Sequence, residues 1–304
     1  MVDTFDYIVV GAGSAGAVLA ERLSAEPSNR VLLLEEGGEP NWLSHMPKGF
    51  GKLLGHPQFA HFYPAQKAKG SRGPKETWVR GRMLGGSSGI NGMVWIRGAR
   101  EDYDAIEEAG NVGWGWSDMV RCFRGLENHH LGASDLRGSG GLVNISTNPN
   151  RTPLADAFIA AGMETGLPHK DDQNGAEVEG VGYAQWNINS RGRRVSSARS
   201  FIDHARSRPN LTIKTNARVN RVLFENRRAT GVSVNHGDRT AEYRAAGAVI
   251  LCTGTIITPK LLQLSGIGDG EHLTAMGIDV VHHSPMVGKR MREHLTLAIN
   301  FYLR

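Results

Sequence analysis

The residues best suited to chemistry lie near the start of the chain, where closely spaced glycines are followed by an acid. Gly11, Gly13 and Gly16 form a G-x-G-x-x-G sequence directly after an apolar run, and Glu35 follows a second apolar run about 20 residues further on. Such glycines permit a tight turn and close approach of a pyrophosphate, while the acid binds ribose hydroxyls. The pattern predicts a dinucleotide site, with Glu36 as the alternative acid, formed by Gly11, Gly13, Ser14, Ala15, Gly16 and Glu35.

The elements that must position these residues are a strand, a helix and a second strand. Residues 7–10 form a continuous apolar run typical of a strand buried on both faces, and helical spacing begins at Ser14. Residues 31–38 predict a second buried strand that ends in acids and glycines. The chain between 40 and 80 has no regular pattern. Elsewhere the spacing predicts a helix capped by Ser117 or Asp118, a helix over 153–168, and strands over 182–189, 211–215, 218–226, 229–235, 248–254 and 292–304.

Composition and charge narrow the classes of protein that fit the sequence. The 304 residues carry a formal net charge of +5, but the basic residues are scattered among acids, which argues against a nucleic-acid partner. Cys122 and Cys252 are too far apart for a metal-ligand pattern or a disulfide framework, so we expect a reducing, cytoplasmic setting and no metal. No apolar run approaches the length of a membrane span, and the N-terminus lacks the charge pattern of a signal peptide.

Two further segments give the sequence a family resemblance. Residues 81–104 and 254–268, read after the N-terminal glycine motif, resemble the two signatures of the glucose–methanol–choline family of FAD-dependent oxidoreductases. The similarity extends over essentially the whole chain and is closest to choline dehydrogenase-like alcohol dehydrogenases. The first segment matches at Gly81, Arg82, Leu84, Gly85, Gly86, Ser87, Ser88, Ile90, Asn91, Trp95, Gly98 and Asp104. The second matches at Gly254, Thr255, Thr258, Pro259, Leu261, Leu262, Ser265, Gly266, Ile267 and Gly268.

The resemblance implies an α/β fold with two intertwined domains. An FAD-binding, Rossmann-like domain with a parallel sheet is expected, interrupted by part of an α+β substrate domain with an antiparallel sheet. The FAD-binding parts would be 1–150 and 206–280, and the substrate-domain parts 151–205 and 281–304. The glycine motif by itself leaves NAD and FAD open, whereas the two later signatures favour FAD.

The resemblance also implies which residues lie along the cofactor. Members that bind FAD covalently use a His at the position of Ile90, so we expect non-covalent FAD here. Backbone at Met83 and 91–94 would contact the pyrophosphate and the isoalloxazine, and the backbone of Val219 would meet the adenine. The residues implied are Met83, Gly86, Ser87, Asn91, Gly92, Met93, Val94 and Val219.

The implied reaction is oxidation of a primary alcohol, choline-like or other, to an aldehyde. Hydride would pass to flavin N5 while a base takes the hydroxyl proton. The family base is a C-terminal His expected beyond residue 304, so no catalytic residue is assigned, and His294 matches a position that is not the base. The alternative is a truncated FAD-binding fragment without turnover.

Other readings stay open at the level of sequence. A lyase-like member with structural FAD would cleave a cyanohydrin without redox chemistry, and the later signatures argue against a nicotinamide dehydrogenase. The alcohol, the electron acceptor and the oligomeric state are not specified by the sequence. His61 stands where family members often have Trp, and we expect it near the substrate entrance.

Overall fold

A computed structural model describes residues 3–67, 70, 72–147 and 151–293. The strands are β1 (Thr4–Val10), β2 (Val31–Leu34), β3 (Ala60–Pro64), β4 (Thr77–Gly81), β5 (Glu127–His129), β6 (Val143–Thr147), β7 (Gln185–Trp186), β8 (Leu211–Lys214), β9 (Arg218–Glu225), β10 (Arg228–His236), β11 (Arg239–Leu251), β12 (Ile267–Gly268) and β13 (His282–His283). The α-helices are α1 (Ser14–Leu23), α2 (Phe50–Leu53), α3 (Arg100–Glu108), α4 (Trp116–Leu126), α5 (Pro153–Glu164), α6 (Asp203–Ala205), α7 (Gly254–Leu264) and α8 (Gly270–Ala275). Single 3-10 turns lie at Trp42–His45, Pro47–Gly49 and Gly86–Gly89, and a π-helical turn lies at Ala198–Ile202.

The largest element is a six-stranded sheet with strand order β8-β2-β1-β11-β10-β9. The first four strands in that order are parallel, and β9, β10 and the first half of β11 form an antiparallel extension. Val10 pairs with both Leu34 and Leu251, and Leu34 pairs with Lys214. The carboxyl ends of all four parallel strands therefore lie at one edge of the sheet, which is where ligands bind in open α/β sheets.

The core is built on both faces of this sheet, because successive strand residues point to opposite sides. Val9 and Leu33 pack on one face with Ala17 of α1 and Phe201 of the π-helical turn. Their sequence neighbours β1 Ile8 and Val10 and β2 Leu32 and Leu34 pack on the other face, together with Leu261 of α7. Continuous apolar runs in β1 and β2 are thus explained by burial on both faces, as their sequence predicts.

The predicted α/β fold class is confirmed. A parallel-rich sheet carries the glycine turn, and smaller sheets are separate from it: the antiparallel hairpin β3–β4, the three strands β5-β6-β7, and the short parallel pair β12–β13. Within the described residues, no helix is long and apolar enough to cross a bilayer.

The division of the chain into four domain segments stays a prediction. The predicted substrate-domain segment 151–205 includes Ala198, Phe201 and Ala205, which pack in the same core cluster as Val9 and Ala17. This packing favours a boundary that lies before Ala198.

Most predicted elements are present, and several have different ends. The strands near 211–215, 218–226 and 229–235 are confirmed as β8, β9 and β10, and the late strand at 248–254 is the end of a longer β11. Strand β2 ends at Leu34 rather than at residue 38, because Gly37 packs directly against the backbone of Arg82. The predicted strand at 292–304 lies almost wholly outside the described residues.

Three predictions differ from the structure in detail. One helix and one strand are shorter than predicted, and another helix has a different cap. Helix α5 ends at Glu164 because Gly166 adopts φ +95°, and the strand predicted over 182–189 is reduced to β7. Neither Ser117 nor Asp118 caps α4; the Trp116 N–H instead donates to Asp104 of α3 at 2.9 Å. That hydrogen bond is the largest reason why the pKa of Asp104 lies below its usual value.

The segment between 40 and 80 is more regular than its sequence indicates. It contains two 3-10 turns, the short helix α2 and the hairpin β3–β4, in which Ala60 pairs with Gly81 and Phe62 with Val79. The hairpin is hard to recognise because its strands are separated by a long polar stretch and their side chains are only partly buried. It brings the glycine-rich segment that begins at Gly81 back to the sheet.

A buried polar cluster holds the chain that follows this glycine-rich segment. The Glu127 carboxylate, which is fully buried, accepts hydrogen bonds from Trp95 Nε1 at 2.8 Å, Arg97 Nη2 at 2.5 Å and the Gly138 N–H at 3.2 Å. Asn174 accepts from the Arg97 N–H at 2.7 Å and donates to the Trp95 carbonyl at 3.1 Å. Residues 95–97 are therefore held by an ion pair that water does not reach.

This cluster predicts the effect of removing one buried charge. Glu127→Met leaves the Arg97 guanidinium buried without its carboxylate, and we expect a loss of about 3–5 kcal/mol in the free energy of unfolding, measured by urea denaturation. The double variant Arg97→Met/Glu127→Met removes both charges and should be closer to the unmodified chain than Glu127→Met alone. A double variant that is less stable than the single one would contradict this assignment.

Candidate cofactor site

The glycine turn lies at the carboxyl end of β1 and begins helix α1. Gly11 adopts φ +94°, and a Cβ there would lie 2.6 Å from the Cys252 carbonyl oxygen. A Cβ on Gly16 would overlap the carbonyl oxygen of Gly11, so the first turn of α1 packs directly on the glycine bend. Gly13 has no atom within 4 Å of its Cβ position, and Ser14 and Ala15 beside it are exposed. The turn is closed on its protein side and open on the other.

Helix α1 offers its N-terminus toward that open side. Gly13 is the N-cap residue and has no side chain, so no N-cap side chain accepts from the first backbone N–H groups of α1. N–H groups at a helix N-terminus, together with the helix dipole, favour an anion such as a phosphate.

Two acids follow β2, and they have different surroundings. Glu35 is buried: one carboxylate oxygen accepts from the Ala12 N–H at 2.9 Å and the other from the Gly37 N–H at 2.9 Å. Burial raises the pKa of Glu35, although both hydrogen bonds oppose that shift. Each carboxylate oxygen retains a lone pair, so Glu35 can still accept from a ligand hydroxyl.

Glu36 is half-buried and lies among basic groups. His61 Nε2 lies 3.5 Å and Arg82 Nε 3.9 Å from its carboxylate. The contact with His61 is the largest cause that keeps the pKa of Glu36 below its usual value; the charges of Arg218 and Arg82 add to it, and burial opposes it. His61 therefore contacts the acid at the end of β2, and its position near a substrate entrance stays a prediction.

A second helix N-terminus lies at the same edge of the sheet. Strand β11 ends at Leu251 beside Val10, and α7 begins at Gly254, which adopts φ +82°. Thr253, the N-cap residue, makes no side-chain cap; its hydroxyl lies 2.9 Å from that of Thr258. The N-termini of α1 and α7 thus lie at the ends of adjacent parallel strands.

These elements enclose a cavity of about 740 Å³, a size that is ordinary for a small-molecule or cofactor site. The predicted residues that line it are Gly11, Gly13, Ser14, Ala15, Glu35, Gly86, Ser87 and Val219. The sequence-based prediction did not include several other lining residues, namely His61, Tyr63, Arg80, Gly81, Ala217, Cys252 and Thr255. The hairpin residues among them had no recognisable signal, because the hairpin itself was not predicted. A second groove of about 530 Å³ lies on the other side of the antiparallel extension, beside Arg221, Glu225 and Asp279.

The second glycine-rich segment lies directly against the first. The Gly85 N–H donates to the Ala12 carbonyl at 2.7 Å, and a Cβ on Gly86 would lie 2.9 Å from the Cα of Gly13. Ser87 Oγ accepts from the Gly81 N–H at 3.1 Å, whereas Ser88 is buried and donates to the Gly85 carbonyl at 2.5 Å. The segment lines the cavity at 86–87 and then continues away from it.

The remaining predicted residues lie outside the cavity. Met83 is fully buried and pairs with Gly38, and Gly16 faces the interior of the glycine turn. Met93 is buried with φ +65°, and Asn91 Oδ1 accepts its N–H at 3.1 Å, while Val94 is half-exposed. The structure therefore brings eight of the predicted residues into one cavity and leaves Gly16, Met83, Asn91, Gly92, Met93 and Val94 beside or beyond its wall.

The histidines of the described residues lie in several different places. Within the described ranges His61 is the histidine that lines the cavity. His129 and His130 stack on each other at 5.1 Å between ring centroids near β6, and His282 and His283 are exposed in β13. His294 lies outside the described residues. No group of three or more His, Cys, Asp or Glu side chains with a metal-binding arrangement occurs in the described part of the chain.

The fold and the site define a dinucleotide-binding α/β protein, and comparison with known proteins specifies the family. The family model described as GMC oxidoreductase matches residues 5–296. The chain belongs to the GMC oxidoreductase family. It is 43% identical over 299 residues to an alcohol dehydrogenase [acceptor] of Pseudomonas putida, covering 97% of this chain and 54% of that protein.

A second relative and a solved structure are also similar to the chain over nearly its whole length. The chain is 40% identical over 304 residues to an oxygen-dependent choline dehydrogenase of Escherichia coli O127:H6, covering 98% of this chain and 55% of that protein. It superposes on the crystal structure of pyridoxine 4-oxidase from Mesorbium loti with a TM-score of 0.88 and 37% identity, over 92% of this chain and 55% of that one. The chain therefore spans about half the length of the relatives that it matches.

The glycine turn predicts effects of different size for two substitutions within it. Gly16→Ala places a methyl group against the Gly11 carbonyl, and we expect it to destabilise the protein by about 1–3 kcal/mol through overpacking. Gly13→Ala, the matched control, enters open space at φ −73° and should change the free energy of unfolding by less than about 1 kcal/mol. Equal losses of stability in thermal or urea denaturation would contradict this description of the turn.

The surroundings of Glu36 predict a pH dependence. Because its folded pKa lies below the unfolded value of about 4.3, its contribution to stability is present above that value and is lost as pH falls through the folded pKa. We expect Glu36→Gln to cost about 0.5–1 kcal/mol at neutral pH and nothing in strong acid. Denaturation over a pH series measures this difference, with the exposed Glu39→Gln as a control. A difference that persists unchanged in strong acid would contradict the assignment.

Proposed function

We propose that the chain is the FAD-binding part of an alcohol oxidoreductase, and that the 740 Å³ cavity binds the ADP half of FAD. The observation that carries the proposal is the meeting of two helix N-termini, an open glycine and a buried acid at one edge of a parallel sheet. Gly13 provides the space that a pyrophosphate needs, and the N–H groups at Ser14 and Ala15 provide donors.

The roles of the individual residues follow from their positions. Glu35 would accept from a ribose hydroxyl, because its carboxylate is fixed by two backbone N–H groups and still has free lone pairs. Val219 would meet the adenine through its backbone at the far end of the cavity. Gly86 and Ser87 would line the pyrophosphate, and the chain at Met83 and 91–94 would continue toward the isoalloxazine.

We propose that FAD is held without a covalent bond. The position that carries the linking His in some members of the family is Ile90 here, which is 3% exposed and packs beside Met83 and Leu53. An aliphatic side chain has no group that can form such a link.

The reaction that we propose is oxidation of a small primary alcohol to an aldehyde. When bound, FAD would accept the two electrons of the alcohol in the form of a hydride. The residues of this chain would bind and orient the cofactor and exclude water from it. Among the histidines of the described residues, His61 lines the cavity, and it contacts Glu36. The electron acceptor and the particular alcohol are not part of the proposal.

A second candidate function is FAD binding without catalysis. In this view the 304 residues bind FAD and do not turn over alcohol. The finding that the chain spans about half the length of its relatives agrees with this view. Alcohol-dependent dye reduction by the purified chain separates the two candidates, since turnover supports the first and its absence with FAD bound supports the second.

A pair of substitutions at Gly13 tests the cavity itself. Asp and Asn are both good N-cap residues, so Gly13→Asp and Gly13→Asn should leave α1 as stable as before or more so. Only Asp places a negative charge where the pyrophosphate would lie, and we expect it to weaken FAD binding by about tenfold to a thousandfold relative to Gly13→Asn. Flavin fluorescence titration measures both affinities.

Two results would contradict the proposal. One is a folded, unmodified chain that does not bind FAD. The other is a Gly13→Asp variant that binds FAD as tightly as Gly13→Asn, because a phosphate beside that carboxylate would be repelled.

A further inference from the structure

Arg194 is a buried cation whose three hydrogen bonds all go to one stretch of the second glycine-rich segment. Its side chain is 1% exposed. Nη1 donates to the Ser88 carbonyl at 3.0 Å and to Asn91 Oδ1 at 2.6 Å, and Nη2 donates to the Asn91 carbonyl at 2.7 Å. The guanidinium therefore joins the two ends of residues 88–91.

This cation has no carboxylate partner in the described part of the chain. The ion pairs found there do not include Arg194, and its guanidinium carbon lies 5.9 Å from the centre of the Phe50 ring. Burial lowers the pKa of Arg194 to about 10. A buried charge without a counter-ion costs free energy, so the stability of the fold does not by itself explain an arginine here.

What the arginine fixes is the conformation that leads to Met93. Asn91 Oδ1, held by Arg194, accepts the Met93 N–H at 3.1 Å, and Met93 adopts the left-handed value φ +65°. On the other side of Met93, its carbonyl accepts the Asn187 N–H at 3.0 Å. A non-glycine residue in this conformation persists only where its surroundings hold it.

The chain after Arg194 adds a second attachment to the same segment. The Ser197 N–H donates to Ser88 Oγ at 2.9 Å, and Ser88 Oγ donates in turn to the Gly85 carbonyl. Residues 85–93 are therefore held from behind by 194–197. None of 194–197 lines the 740 Å³ cavity.

We propose that Arg194 is a positioning residue for the flavin end of the cofactor site. It holds residues 88–93 in the single conformation that accepts the isoalloxazine, while the ADP end is formed without it. This inference rests on the proposed function, because it assumes that FAD lies from the cavity along residues 86–94. Arg194 thus acts on the flavin end of the site, whereas the first glycine turn forms the ADP end.

The two halves of the cofactor give a direct test. Arg194→Met removes the charge and all three hydrogen bonds, and Arg194→Lys keeps the charge with fewer donors in a different geometry. Arg193→Met is the matched control, because Arg193 is the exposed neighbour. Affinities for FAD and for ADP are measured on the same preparations by fluorescence titration and calorimetry, together with the visible absorption spectrum of the bound flavin.

We expect Arg194→Met to weaken FAD binding by about tenfold to a hundredfold, because residues 88–93 must then be ordered at the expense of binding free energy. Its affinity for ADP should change by less than about threefold, and the spectrum of any bound flavin should shift. Arg194→Lys should recover part of the FAD affinity, and Arg193→Met should match the unmodified chain in every measurement.

Three outcomes distinguish the possibilities. If both Arg194 variants bind FAD as the unmodified chain does, Arg194 has no positioning role. If they lose FAD and ADP affinity equally, the arginine only maintains the fold, and the inference is likewise wrong. If the unmodified chain binds ADP and not FAD, it is the proposed function that fails.

Discussion

The close backbone packing at the glycine turn 11–16 and against the second glycine-rich segment is the constraint on which the rest of this structure depends. Gly16 packs on the carbonyl of Gly11, Gly11 packs on the end of β11, and Gly86 packs on Gly13. Side chains at these positions would force the segments apart, so their contact is possible only because Cβ atoms are missing. The carboxyl ends of the parallel strands β1, β2 and β11 then border a space that two helix N-termini face.

Buried polar side chains then fix the backbone conformation of the glycine-rich chain, which glycine by itself leaves variable. Glycine-rich chain is entropically costly to order, and here it is ordered by side chains that come from elsewhere in the sequence. Arg194 and Ser197 hold the segment up to Met93, and the Glu127–Arg97 pair holds the chain just beyond it. The Glu127–Arg97 pair and the Ser88–Ser197 contact are buried, so their hydrogen bonds act at low dielectric.

The parts of the site that could be predicted from the sequence are those that depend on residues close together in the chain. The apolar runs, the glycine spacing and the acid after β2 are each readable in a short window, and the structure places them together. The parts that depend on distant pairing were missed: the hairpin β3–β4 brings His61 and Tyr63 into the cavity, and Asp104 caps α4 in place of Ser117. Arg194 gave no signal, because its importance comes from Ser88 and Asn91, about 100 residues away in the sequence.

Hydrogen–deuterium exchange with and without FAD tests the central claim most directly, since it reports on every backbone amide at once. The claim is that one cofactor lies across both glycine segments and the start of α7. FAD should therefore slow exchange at residues 13–16, 85–93 and 254–257, and leave strands β5 and β6 unchanged. Protection confined to the groove beside Arg221 and Asp279, with no change in the two glycine segments, would contradict it.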